Sequence, residues 1–271
     1  MPQVACRPLN FEFDLKEPLV LESLPVFQPI SAADVAGKMR LYADPDFRRA
    51  AREILGPGAP GPFVGVWERT RIAYCPAEPG LEERTVAEVA RERKLDPVDL
   101  VFDLGLGSAL AARFRMAVVN FDEDEVGELL LDPGTVLGLS DAGAHANQLC
   151  DACFSTHLLA RWVRERGVLT LEQAVHMLTG RPAGVLGLAD RGRLAVGAPG
   201  DVVVFDPATV GAGKLRRVSD LPAHAERLVA DATGVDAVLV NGRIIRRENR
   251  DLVDPEGWLP GKLLRSGQAR A

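Results

Sequence analysis

Thr135-Val-Leu-Gly-Leu-Ser-Asp-Ala-Gly-Ala-His145 is the stretch on which the fold reading turns. A short apolar run stops at Ser140-Asp141, a small-residue turn follows, and His145 comes next. The pattern predicts a buried strand, Val136 to Leu139, that delivers one carboxylate to its end. Where parallel strands alternate with helices, catalytic groups collect at the strand ends, because the loops there are free to vary. Asp141 is therefore the first candidate for chemistry. A plain turn cap is the competing reading, since Asp commonly opens turns and helices.

Outward from this stretch the chain alternates strand and helix. A strand opens at Gln3 and runs to Leu9, with Arg7 near its end. Ser31 with Asp34 marks one helix start. Asp44-Pro45 ahead of Phe47–Leu55 marks another, with proline in the first turn. Gly56 to Gly61 is a Gly/Pro-rich loop. Thr85 and Glu88 form a capping box, and Asp96-Pro97 opens a helix to about Leu106. Phe114 to Val119 reads as a strand and Asp122 to Leu131 as a helix. Phe154 to Arg166 has helical periodicity, with Leu158, Leu159, Trp162 and Val163 on one face. Thr170 and Gln173 form a second capping box, for a helix through Leu178. This alternation predicts an α/β fold with parallel strands.

The texture changes near Leu188. Asp201–Asp206 is a compact β-run. Val235–Val240 and Arg243–Arg246 flank Asn241-Gly242, the strongest short hairpin signal. The expected organisation is an α/β part over residues 1–188, a β-module over 189–249 and a patternless tail over 250–271.

The bulk numbers bound the function. The chain has 271 residues, 47% hydrophobic and 26% charged, ordinary for a globular protein. A net charge of −6 argues against a nucleic acid or an anionic membrane as partner. No apolar run is long enough to span a bilayer. Residues Met1 to Asn10 lack the layout of a secretory signal. Four cysteines, Cys6, Cys75, Cys150 and Cys153, are too few for a disulfide framework. A cytoplasmic location is the expectation.

Three segments carry a family resemblance. They are Gly138–His145; Leu178–Ala183 with Leu186–Leu188 and Arg191–Leu194; and Gly197 through Asp201–Asp206 with Val238–Gly242 behind it. In this order they resemble the C-terminal part of the metal-dependent amidohydrolases, in the branch of the N-acyl-D-amino-acid deacylases. The resemblance implies the later part of a (β/α)8 TIM-like barrel, with a metal site at its C-terminal strand ends, followed by a small β-sandwich. It implies that Asp141 binds the metal and takes a proton from the metal-bound water. It further implies zinc as cofactor and a small N-acyl amino acid as substrate.

The sequence departs from that family in its ligands. The family needs a His-x-His pair and further ligands from the middle strands. The four histidines here are His145, His157, His176 and His224, and no two have that spacing. A catalytic zinc takes three protein ligands and leaves one position for water, so one Asp does not suffice. The expectation is a C-terminal fragment whose other ligands lie upstream of Met1. Such a chain is expected to hold no zinc and to be inactive alone. A cyclic-amide hydrolase fragment and a non-catalytic remnant acting with another chain are the alternatives.

Two further residues are substrate-binding candidates. Arg7 suits a substrate carboxylate, which arginine grips bidentately; a solvated strand-end arginine is the plainer reading. His145 follows Asp141 in the same turn, to contact substrate or simply to bond the loop. Cys150-Asp151-Ala152-Cys153 is a CxxC, readable as half a zinc site, a redox pair or small residues packing a helix start. Trp162 reads as core.

Overall fold

The computed structural model describes residues 1–18, 21–56, 66–138, 140, 142–150 and 152–264. The chain forms two compact units, Leu9–Phe121 and a second made of Met1–Pro8 with Asp122–Ala271.

Where one strand was expected from Gln3 to Leu9, two form: β1 (Gln3–Val4) and β2 (Leu9–Asp14). Pro8, which lacks a backbone N–H, stands between them. In the Leu9–Phe121 unit, β2 is joined by β3 (Thr70–Tyr74) and β4 (Arg113–Val119) in the order β2-β4-β3. Both pairings are antiparallel, with Phe11 opposite Met116 and Ile72 opposite Phe114. This corrects the expectation of parallel strands throughout. Alternation alone cannot see strand direction, and neither β2 nor β3 stood out in the sequence as a partner for β4.

The helices of this unit begin where their caps place them. Asp34, not Ser31, caps Val35–Ala43, its carboxylate accepting from the Gly37 N–H at 2.7 Å. Asp44 caps Pro45–Leu55 and Asp96 caps Pro97–Gly107, each with proline in the first turn. Thr85 and Glu88 close the capping box of Val86–Arg93 from both sides. The helices bury an aromatic cluster in which Tyr42 lies 5.0 Å from Phe102 and Phe27 lies 5.5 Å from Phe47. Tyr42 donates its hydroxyl to the Leu15 carbonyl at 3.0 Å, and burial raises its pKa. Gly105 lets this helix approach closely, since a Cβ there would stand 2.3 Å from Leu15 Cδ1. The Gly/Pro-rich loop expected over Gly56–Gly61 lies, from Pro57 onward, outside the described residues.

In the other unit, β1 pairs in parallel with β5 (Val136–Leu137), Val4 opposite Leu137. Backbone bonds from Val136 N to Pro2 O and from Gly138 N to Val4 O extend the pair. Helix Glu123–Leu131, capped by Asp122, leads into β5. Helix Phe154–His157 widens into a π-helical stretch, Leu158–Glu165, closed by Arg166 N bonding Arg161 O. Thr170 and Gln173 make the second capping box, for Leu171–Leu178. The core joins Cys6, Val126, Leu130, Leu137, Leu158, Trp162 and Met177. Trp162 is 1% exposed, and its indole N–H donates to the Cys6 carbonyl at 2.6 Å.

Strands dominate after residue 201. They are β6 (Val202–Phe205), β7 (Gly211–Val218), β8 (Arg227–Thr233), β9 (Val235–Val240), β10 (Arg243–Arg247) and β11 (Arg250–Asp251). They fall into a sheet of order β11-β10-β9-β6 and a separate β7-β8 pair. The β9-β10 hairpin turns at Asn241-Gly242, where φ is 47° and 79°. Two successive positive φ values are what a type I′ turn needs, and Asn-Gly supplies them with little strain. β11 places a short strand at the start of the expected tail. The molecule is a mixed α/β protein.

Candidate active site

The site is built where β1 and β5 end. Because these neighbours are parallel, Cys6 after β1 and Gly138 after β5 leave the same end of the pair. Asp141, the central candidate for both catalysis and metal binding, lies outside the described residues. Its neighbour Ser140 accepts the Ala142 N–H on its hydroxyl at 3.3 Å.

His145 is exposed in that turn, at φ 47°. Its carbonyl accepts from Gln148 N at 2.7 Å and Leu149 N at 3.1 Å. The same turn is tied to β8 by a bond from Leu228 N to Ala146 O at 2.8 Å. Sheet and turn thus hold the His145 backbone while its side chain faces solvent.

Arg7 turns towards the CxxC. One guanidinium nitrogen, Nη1, donates to the Cys153 sulfur and lies 3.5 Å from the Cys150 carbonyl oxygen. This contact spans 146 residues of sequence. His157, one helical turn after Cys153, has its Nε2 buried without a hydrogen-bond partner among the described residues. Burial, and then the positive charge of Arg7, push its pKa down to about 4. His157 is therefore a neutral imidazole near neutral pH. The sequence placed it in a helix but offered no sign of this environment.

Glu123, Arg161 and Arg166 form an ion network that joins the helix Glu123–Leu131 to the stretch 158–166. Arg161 meets Glu123 at 2.6 Å and Arg166 meets it at 2.8 Å. Hydrogen bonding from Arg161, and then from Arg166, holds the Glu123 carboxyl at about 2, against burial that pushes it up.

A cavity of about 510 Å³ opens elsewhere in the unit, between the helical run 154–165, the helix Leu171–Leu178 and β6. Phe154, Leu159, Leu178 and Phe205 make its wall mainly apolar. Arg7 and His145 are not among its described lining residues.

Among the described residues, no three His, Cys, Asp or Glu side chains are grouped closely enough to hold a metal ion. The described donors thus do not fit a zinc, which needs about three protein ligands. No described helix is long and apolar enough to cross a membrane.

The model of the Amidohydrolase family matches residues 42–246, and the chain belongs to that family. It is 37% identical over 198 residues to the N-acyl-D-glutamate deacylase of Alcaligenes xylosoxydans xylosoxydans, covering 72% of this chain and 36% of that protein. It is 35% identical over 182 residues to the D-aminoacylase of the same organism, covering 66% and 34%. Among solved structures it is similar to the N-acyl-D-glutamate deacylase of Bordetella bronchiseptica complexed with zinc and a phosphonate inhibitor. There identity is 32%, coverage 67% of this chain and 35% of that one, and the TM-score 0.38. The chain spans about a third of the length of the curated relatives it matches.

Proposed function

We propose that this chain carries the Asp-bearing part of a zinc-dependent amidohydrolase acting on the amide C–N bond of small N-acyl-D-amino acids. The observation that carries the reading is the similarity to N-acyl-D-glutamate deacylase over 72% of this chain. The Gly138–His145 block at the end of β5 adds to it.

In this reading Asp141 is the general base that takes a proton from the attacking water and returns it to the leaving amine. It is also the one metal ligand this chain contributes. The remaining ligands belong to polypeptide other than these 271 residues, whose sequence holds no His-x-His pair. Arg7 meets the substrate carboxylate, and His145 lines the substrate side of the turn. Residues 1–188 form part of a (β/α)8 barrel, 189–249 a β-sandwich and 250–271 a tail. The location is cytoplasmic, with neither nucleic acid nor membrane as partner.

The test is a graft. This chain replaces the matching 36% of the Alcaligenes N-acyl-D-glutamate deacylase. The expected product hydrolyses N-acetyl-D-glutamate in preference to its L isomer, loses activity to a chelator and regains it with zinc. A folded, zinc-loaded graft without activity on the D substrate contradicts the proposal.

A further inference from the structure

The CxxC turn is not used by the proposed hydrolysis, yet the fold treats its two sulfurs unequally. Cys153 is 8% exposed, whereas Cys150 is partly open to solvent. The Cys153 sulfur lies 3.8 Å from the Cys150 carbonyl oxygen. Arg7, arriving from the end of β1, puts its guanidinium on that sulfur. Positive charge beside a thiol favours the thiolate, the form that attacks a disulfide.

The other two cysteines are internal controls. Cys6 and Cys75 are both fully buried. The Cys6 thiol donates to the Phe154 carbonyl at 3.3 Å, and the Cys75 sulfur lies 3.9 Å from the Ser108 hydroxyl.

We propose that Cys150 and Cys153 are a thiol–disulfide exchange site for small-molecule disulfides, with Cys150 the entry thiol and Cys153 the resolving thiol. In the first step the Cys150 thiolate attacks one sulfur of an external disulfide such as oxidised glutathione. A protein–glutathione S–S bond forms, and one glutathione thiolate leaves and takes up a proton. In the second step the Cys153 thiolate attacks the Cys150 sulfur. The Cys150–Cys153 bond forms, the mixed disulfide breaks, and the second glutathione leaves and is protonated. Two protein thiols are oxidised, and one small-molecule disulfide is reduced to two thiols.

Trypsin isolates the pair, because cleavage after Arg115 and Arg161 leaves Met116–Arg161, a peptide with no other cysteine. The purified chain is incubated with millimolar oxidised glutathione, then denatured for thiol counting and peptide mass. The expected result is loss of two of the four thiols, with Met116–Arg161 lighter by two hydrogens. Cys153→Ser is expected to accumulate a stable glutathione adduct on Cys150. Arg7→Gln is expected to slow resolution by about threefold, since thiolate population falls while intrinsic nucleophilicity partly compensates. If the native chain keeps all four thiols, or keeps a stable adduct on Cys150 with no internal bond, the proposal is overturned. The Cys153→Ser trap reads the order of the two steps even where Arg7→Gln fails to fold. An adduct on Cys153 in the native chain also overturns it.

Discussion

Trp162 shows how one residue ties the candidate site together. Its ring fills the core of its unit, and its N–H satisfies the carbonyl of Cys6, the residue before Arg7. Trp162→Phe keeps most of the ring but removes that hydrogen bond. The expected cost is about 0.5–1.5 kcal/mol in urea unfolding. His157 gives a pH signature. Its ordinary value is 6.5 and its folded value about 4. Between these the unfolded chain binds more protons than the folded one, so stability is full above 6.5 and falls as pH drops towards 4. In His157→Phe that slope should vanish; a variant with an unchanged pH profile would show that His157 is not buried neutral. At this scale the sequence marked Asp141, His145 and Arg7, because a strand ending in a polar turn is a local pattern. It could not mark the Arg7–Cys153 contact, which joins residues 146 positions apart.

The helix starts were legible as elements because a cap lies within four residues of the helix it starts. Both capping boxes, at Thr85 and Thr170, stand where their Ser/Thr-x-x-Glu/Gln pattern placed them. Thr85→Ala should cost the unit Leu9–Phe121 about 1 kcal/mol, read as a lowered urea midpoint with unchanged slope. Strand direction was not legible. β2 and β4 are distant in sequence, and their antiparallel pairing, which sets Phe13 opposite Phe114, has no local signature. The widened turn at Leu158–Glu165 was equally hidden, since helical periodicity predicts an ordinary helix there. The Glu123 network offers an element-scale test. Its carboxyl sits at about 2, lowered from 4.5, so its stabilising contribution is present above 4.5 and lost as pH falls through 2. Glu123→Gln should flatten the unfolding free energy across that window. A wild-type slope in the variant would show that Arg161 and Arg166 do not hold the charge.

At the scale of the whole molecule, membership of the amidohydrolases was legible from three short segments, because each is a contiguous motif and they stand in the family's order. A full zinc ligand set was not legible, since a zinc gathers ligands from distant parts of a polypeptide and only Asp141 was marked. The purified 271-residue chain, dialysed against zinc-free buffer, is expected to retain far less than one zinc per chain. One tightly held zinc would mean that a ligand set exists within it. The most direct test of the central claim is kcat/KM for N-acetyl-D-glutamate in the grafted deacylase with and without Asp141→Asn, with zinc measured in both. Asn keeps the size of the side chain but cannot take the proton from the attacking water. Loss of that role should lower kcat/KM by about 10²–10⁴, and any loss of zinc should lower it further. An Asp141→Asn graft with full zinc and near-normal kcat/KM would make Asp141 a turn cap and contradict the account.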